Sequence, residues 1–196
     1  MRRTAADAAL TREAITRAAL HRFARDGWDG CSLVDVARGA GVTRGAVYHH
    51  FSGKQDLAIA ALEASATVMR QHADALLHGE GTATERLVAY LERQRDSLRG
   101  CRMGRMTYDA DVIATPELLK PISDTLAWLV ETIRSVISEG IDAGEFPPDT
   151  DAHRLASMVV ATVQGGYVLA RAQQEPAEFD AAVQGATALL RAWSQR

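Results

Sequence analysis

The stretch from Ser32 to Lys54 constrains this chain most, because it reads as two short helices joined by a glycine-centred turn. Apolar residues recur at helical spacing before Gly41 and resume that spacing after it. Ser32 is placed to cap the first helix and Thr43 the second. Gly41 supplies the positive φ that a sharp turn between helices requires. The pattern predicts a helix-turn-helix unit, which is suited to double-stranded DNA.

The second helix of this unit is expected to have a polar outer face. If Val42, Val47 and Phe51 face inward, the opposite side carries hydrogen-bonding and cationic side chains. These outward positions are Thr43, Arg44, Gly45, Tyr48 and His49. Gly45 has no side chain, so the backbone there can come close to a partner.

Charge is distributed unevenly along the chain. The 196 residues carry a formal net charge of -3, but residues 1–60 hold nine Lys or Arg against six Asp or Glu, and residues 61–196 hold 13 against 19. A basic amino-terminal part on an acidic remainder is the asymmetry expected when one end meets phosphates. The apolar content of 47% and charged content of 24% indicate a globular chain.

Helical spacing continues through the rest of the sequence and predicts an all-α fold of roughly nine helices. Gly100 to Asp111 is less regular, and it lies between an expected helix over residues 85–98 and a strongly amphipathic helix that begins at Pro116. We expect the chain to divide into a domain over residues 1–55, which contains the helix-turn-helix unit, and a larger helical domain over residues 56–196. A long helix that starts near Lys54 would join them.

Other sequence features predict a cytoplasmic protein with no membrane partner and no metal. No apolar run approaches the roughly 18 residues of a membrane span, and the amino terminus lacks a hydrophobic signal segment. Cys31 and Cys101 stand 70 positions apart, which matches neither a metal-ligand spacing nor a disulfide framework.

An enzyme is the competing class, and the spacing of the chemically reactive residues argues against it. Asp109 and Asp111 lie two positions apart in an irregular segment, and His72, His78 and His153 fit no metal-binding pattern. The sequence has no glycine-rich phosphate loop and no nucleophile elbow. No catalytic residue and no cofactor is therefore expected.

The run from Ser32 to Leu57, preceded by the helix over residues 15–27, closely resembles the DNA-binding head of tetracycline-repressor-like (TetR family) regulators. The resemblance covers about a quarter of the chain. It implies a homodimeric, ligand-responsive transcriptional repressor that binds a palindromic operator. Thr43, Arg44 and Gly45 would then face base edges. The residues that would hold phosphates are Ser32, Tyr48, His49 and Lys54.

The resemblance implies that residues 56–196 form a ligand-binding and dimerisation domain. We expect this domain to hold a small, largely apolar effector in a cavity with apolar and aromatic walls and a few polar groups. The expected wall residues, each of which could instead be ordinary core, are Tyr90, Gln94, Met103, Met106, Tyr108, Trp128, Gln164 and Tyr167. A DNA-binding regulator without an inducer remains an alternative.

The last two helices are expected to form the dimer interface, because their apolar stripe would otherwise leave a large exposed patch. The stripe residues are Val183, Ala186, Leu190 and Trp193. Gly165 and Gly166 would allow close helix approach, either across the interface or between neighbouring helices of one chain.

Overall fold

A computed structural model describes residues 4–194. These residues form ten helices and no strand, so the all-α prediction is confirmed, with one helix more than the approximate number expected. In chain order the helices are α1 (Ala5–Asp26), α2 (Leu33–Ala40), α3 (Arg44–His50), α4 (Lys54–Leu77), α5 (Ala83–Glu92), α6 (Arg102–Met106), α7 (Ala110–Ala114), α8 (Pro116–Asp142), α9 (Ala152–Gln173) and α10 (Ala177–Trp193).

The helices group into two compact units. Among the described residues, unit 1 contains 4–68 and 102–123, and unit 2 contains 69–101 and 124–194. The chain passes from one unit to the other at three points, inside α4, directly before α6 and inside α8. The division predicted between residues 55 and 56 stays a prediction.

Unit 1 is organised around the packing of α1, α2 and α3. Ile15 and Phe23 of α1 are buried, as are Val36 of α2, Val47 of α3 and the residue that ends α3, Phe51. Complete burial of side chains of this size stabilises the fold by roughly 1.5–3 kcal/mol each. The core therefore fixes which side of α3 faces outward.

Helix α1 begins at Ala5, six residues before Thr11, where the helical pattern of the sequence predicts its start. Thr4 and Asp7 form a capping box, in which the Thr4 side chain accepts from the Asp7 backbone N–H and the Asp7 carboxylate accepts from the Thr4 backbone N–H. This cap satisfies donors at the helix start and extends it beyond the apolar pattern. At the other end, Gly27 stops the helix with a φ of 76°.

Unit 2 is built on α5, α9 and α10 together with parts of α4 and α8. Its core includes Leu77, Leu91, Ile137, Val159 and Phe179. Helix α5 ends at Glu92, earlier than the predicted Leu98. Arg95 explains the early end, because its guanidinium donates to backbone carbonyls at the end of α5.

Candidate nucleic-acid interface

The turn between α2 and α3 is held by caps on both helices. Ser32 Oγ accepts from the Asp35 backbone N–H at 3.2 Å and donates to the Asp35 carboxylate at 2.6 Å. That donated bond lowers the pKa of Asp35. Gly41 adopts the left-handed conformation with a φ of 66°, and Thr43 caps α3 by accepting from the Ala46 backbone N–H. The sequence prediction of this turn is confirmed.

The outward face of α3 carries the five side-chain positions that the sequence singles out. These exposed positions are Thr43, Arg44, Gly45, Tyr48 and His49. A Cβ atom added at Gly45 would meet only Thr43 Oγ1, at 3.9 Å. The protein's own packing therefore does not require glycine at this position, and the open space is available to a partner.

Arg44 and Tyr48 form a pair on this face, four residues apart. Arg44 Nη2 donates to the Tyr48 hydroxyl at 3.1 Å, and the guanidinium carbon lies 5.3 Å from the centre of the Tyr48 ring. The contact limits the conformations of a long side chain that is otherwise exposed. Arg44 is thus partly preorganised on the face that presents it.

The end of α3 is fixed by a side chain from α1. Arg12 Nη1 donates to the backbone carbonyl of His50 at 2.7 Å, and its guanidinium carbon lies 4.2 Å from the centre of the buried Phe51 ring. A cation that binds a carbonyl at a helix carboxyl end is favourably placed. Sequence analysis missed this contact, since nothing in the local pattern pairs positions 38 apart.

Lys54, at the start of α4, lies against the connector that precedes α2. Its Nζ is 4.4 Å from the centre of the Trp28 ring, and that ring stacks on Phe23 at 5.6 Å. The Trp28 backbone N–H donates to Asp109 Oδ2 at 2.6 Å. Asp109 also caps α7. In unit 1, Trp28 therefore contacts both Lys54, through its ring, and Asp109, through its backbone N–H.

The eight residues predicted to line the effector cavity differ in burial, and two of them are exposed. Tyr108 is 79% exposed and Gln94 is also exposed, so the expectation that they wall an enclosed cavity is wrong for both. Met103 and Met106 are buried in unit 1. In unit 2, Tyr90 is buried, and the half-buried members of the set are Trp128, Gln164 and Tyr167.

The predicted dimer residues belong mainly to the core of a single chain. Val183, Ala186 and Leu190 are at most 7% exposed and pack within unit 2, so they are not an exposed seam. The prediction failed because helical periodicity shows an apolar stripe but not what covers it. Trp193 is 39% exposed and donates from Nε1 to Thr150 Oγ1 at 3.0 Å.

The two adjacent glycines of α9 have different surroundings. A Cβ atom on Gly166 would lie 2.9 Å from Phe179 Cδ2, so this glycine permits close packing of α9 on α10 within the chain. Gly165 is exposed, and a Cβ there would meet nothing within 4 Å. Of the two alternatives weighed for this pair, packing within one chain describes Gly166.

Two family models match this chain. Residues 15–61 match the model described as bacterial regulatory proteins, tetR family. Residues 83–186, more than half of the chain, match the model described as the tetracyclin repressor-like C-terminal domain. This chain belongs to the TetR family. The first model describes regulatory proteins, and SrpR, BepR and AcuR, which match this chain, are all named as transcriptional regulators or repressors.

Curated relatives of this TetR-family chain align over different lengths. AcuR, a transcriptional regulator of Cereibacter sphaeroides, is 24% identical over 181 residues, which cover 89% of this chain and 82% of AcuR. BepR, a transcriptional repressor of Brucella suis, is 53% identical over 57 residues, or 29% of this chain and 27% of BepR. SrpR of Pseudomonas putida is 48% identical over 71 residues, or 36% of this chain and 31% of SrpR. This chain thus spans less than a third of the length of SrpR or BepR.

Solved TetR-family structures share the whole fold. A regulator from Chloroflexus aurantiacus superposes with a TM-score of 0.85 at 26% identity, covering 94% of this chain and 96% of that one. CifR, in a cysteine mutant complexed with 26 bp double-strand operator DNA, has a TM-score of 0.76 at 21% identity, with 92% and 95% covered. The likeness to CifR shows the fold alone.

The described residues also bear on metal sites and membrane spans. Within residues 4–194, no three His, Cys, Asp or Glu side chains are grouped to hold a metal ion. Helix α9 of this TetR-family chain is long and apolar enough to cross a membrane, with a mean hydropathy of 1.2. Core helices of soluble proteins pass the same test, and Val159 and Val163 of α9 lie in the core of unit 2.

Proposed function

We propose that this chain is a cytoplasmic homodimeric repressor that binds an inverted-repeat operator and is released from it by a small, largely apolar effector. The observation that carries the proposal is the exposed outer face of α3, held outward by the buried Val47 and Phe51. BepR is a transcriptional repressor and CifR forms a complex with operator DNA, and both support the proposal by analogy.

In this proposal α3 lies in the major groove of DNA. Thr43, Arg44 and Gly45 face base edges at the amino-terminal end of the helix, which is the end that reads bases in helix-turn-helix proteins. Arg44 would bind guanine O6 and N7 in bidentate fashion. The residues proposed to hold phosphates are Ser32, Tyr48, His49 and Lys54.

Replacing Arg44 by alanine is expected to weaken operator binding by roughly 1–3 kcal/mol and to relax the choice of one base pair in each half-site. The measurement is fluorescence anisotropy with a duplex selected from random sequence and with every single-base variant of it. Arg154, whose side chain is 87% exposed in unit 2, provides the matched control. Arg154→Ala should leave both affinity and base preference unchanged.

Lys54→Ala shows, in the same experiment, how the loss of a phosphate contact differs from the loss of base reading. Since phosphate contacts carry no sequence information, it should weaken all duplexes alike and reduce the slope of log affinity against log salt by about one. If Arg44→Ala also weakened every duplex by the same factor, base reading by Arg44 would be disproved.

We propose that the second subunit covers apolar stripes on α9 and α10 that this chain leaves exposed. The two stripes have the same spacing of four, three, one and three residues. They consist of Ala161, Gly165, Val168, Leu169 and Ala172 on α9, and of Ala181, Gly185, Ala188, Leu189 and Ala192 on α10. Small residues at this spacing permit close helix approach. Large side chains such as Leu189, which is 64% exposed, would supply the buried area.

Replacing Leu189 by glutamate is expected to convert the dimer to monomers, because it places a charge in an apolar contact. Sedimentation velocity measures the mass. Leu10 of α1, at 65% exposed, gives a control of equal exposure in unit 1, and Leu10→Glu should remain dimeric. Operator affinity should fall in Leu189→Glu, since the two half-sites are no longer bound by one particle. An unchanged dimer in Leu189→Glu would exclude these stripes as the interface.

A further inference from the structure

Arg95 is a partly buried cation of unit 2 with no carboxylate beside it. Burial lowers the pKa of its guanidinium, and the guanidinium carbon lies 5.2 Å from the centre of the Tyr90 ring and 5.9 Å from that of Phe179. Both aromatic residues are buried. Among residues 4–194, no Asp or Glu oxygen lies within 4.0 Å of the Arg95 nitrogens. A desolvated charge of this kind normally has an anionic partner.

Helix capping uses only part of the donor capacity of Arg95. Nη1 donates to the carbonyls of Leu91 and Arg93, at 2.7 and 2.8 Å, and Nη2 donates once, to the carbonyl of Tyr90, at 2.6 Å. A guanidinium has five N–H donors. Tyr90 is also a side-chain hydrogen-bond partner of Arg95, and Nε donates to no backbone carbonyl and no carboxylate among the described residues. Nε and Nη2 are joined to the same carbon, and carboxylates bind such a pair in bidentate fashion.

A second cation and two phenols share this region. Arg93 Nε is buried and has no hydrogen-bond partner in the described part of the chain. Burial raises the pKa of Tyr90, and it raises that of Tyr167 to about 12, while the charges of Arg95 and Arg93 act in the opposite sense on both phenols. Tyr167 stacks on Phe179 at 4.9 Å. Two like charges in a poorly hydrated region repel each other, so capping of α5 by Arg95 does not by itself account for the arrangement.

We propose that Arg93 and Arg95, with the hydroxyls of Tyr90 and Tyr167, bind the carboxylate of a small organic acid whose remaining atoms are apolar. The inference rests on the proposed function, because the acid would be the effector. The proposed function requires only that the effector be small and largely apolar. The carboxylate site adds that the effector carries one anionic group at one end. The buried aromatic rings beside the guanidinium would contact the apolar part.

Isothermal titration calorimetry on the full chain tests the site with acids and their neutral amides. The probes are acetate, butanoate and benzoate, each paired with acetamide, butanamide or benzamide, and inorganic phosphate. We expect at least one acid to bind about tenfold or more tightly than its amide, because a charge-assisted hydrogen bond is lost in the amide. Preference for phosphate over all three acids would overturn the assignment to a carboxylate.

Substitutions at and near the proposed site test whether the acid binds there. Arg93→Gln is the main variant, since its Nε makes no hydrogen bond that the fold needs, and it should weaken the acid about tenfold. Tyr167→Phe keeps the ring that stacks on Phe179 and should weaken the acid less. Arg99→Gln, an exposed neighbour, is the control and should bind as the unaltered chain does. Acid binding that is equal in Arg93→Gln and Arg99→Gln would overturn the site.

Different results would overturn the carboxylate site and the proposed repressor function. If a neutral apolar compound releases operator DNA while no acid binds better than its amide, this inference is overturned and the repressor mechanism stands. If an acid binds through Arg93 but the chain binds no operator, the carboxylate site stands and the proposed function fails.

Discussion

Replacing Asp109 by alanine is expected to destabilise unit 1 by about 1.5–5 kcal/mol and to weaken operator binding. The carboxylate of Asp109 accepts three backbone N–H bonds, from Trp28 at 2.6 Å and from Asp111 and Val112 at 3.1 and 3.4 Å. Loss of a helix cap costs roughly 0.5–2 kcal/mol, and a partly buried donor without a partner costs about 1–3 kcal/mol more. Urea denaturation measures the stability, and anisotropy measures the affinity.

The expected loss of operator affinity in Asp109→Ala follows from the position of Trp28. Residues 27–31 connect α1 to α2, and Ser32 then caps α2. Without the bond to Asp109, this connector loses a fixed point beside the helix-turn-helix unit. Asp111→Ala is the matched control, because Asp111 is exposed and Asp109 rather than Asp111 supplies the cap of α7. The control should lie within about 0.5 kcal/mol of the unaltered chain. Equal stability of the two variants would contradict the role given to Asp109.

Replacing Gly140 by alanine is expected to destabilise unit 2 by about 3 kcal/mol, at the upper end for overpacking by one methyl group. An added Cβ would lie 2.7 Å from two atoms of the Phe146 ring and 2.8 Å from Ala83 Cβ. Phe146 is 2% exposed, so its ring has no solvent to move into without opening the core. Alanine favours helix by up to about 1 kcal/mol over glycine, and this gain is smaller than the clash.

A control variant for the denaturation experiment can be made on the same helix, α8. Ser135 is exposed on that helix, and Ser135→Ala should be neutral or slightly stabilising. A Gly140→Ala variant as stable as Ser135→Ala would show that the Phe146 ring can shift at little cost. Operator binding by surviving folded protein should be unchanged in both, since both residues lie in unit 2 and the α3 face lies in unit 1.

The helix-turn-helix unit could be predicted from the sequence because its determinants are local. Ser32 and Thr43 are N-caps, Gly41 has the positive φ of a helix stop, and Val47 and Phe51 are buried. Each of these depends on residues within a few positions of one another, where pattern and propensity carry information. The outward direction of the Arg44 side chain follows from the same pattern.

The parts that could not be predicted depend on contacts between distant positions. Helix α5 ends before Arg95, whose guanidinium donates to the carbonyl of Tyr90, and the apolar spacing that predicts a helix over residues 85–98 does not show this contact. The connector at Trp28 is held by Asp109, 81 positions away. For the last helix, apolar spacing identified Val183 and Leu190 correctly as one stripe but could not distinguish the chain's own core from a partner surface. Leu189, one position from Leu190, is the exposed neighbour.

The contact between Lys54 and Trp28 gives the DNA-binding head an intrinsic optical reporter. An ammonium group 4.4 Å from an indole ring perturbs the electronic states of that ring. A phosphate that draws Lys54 away would change the emission of Trp28. Of the three tryptophans in the chain, Trp128 and Trp193 lie in unit 2, so this signal would report on the head alone, without any attached dye.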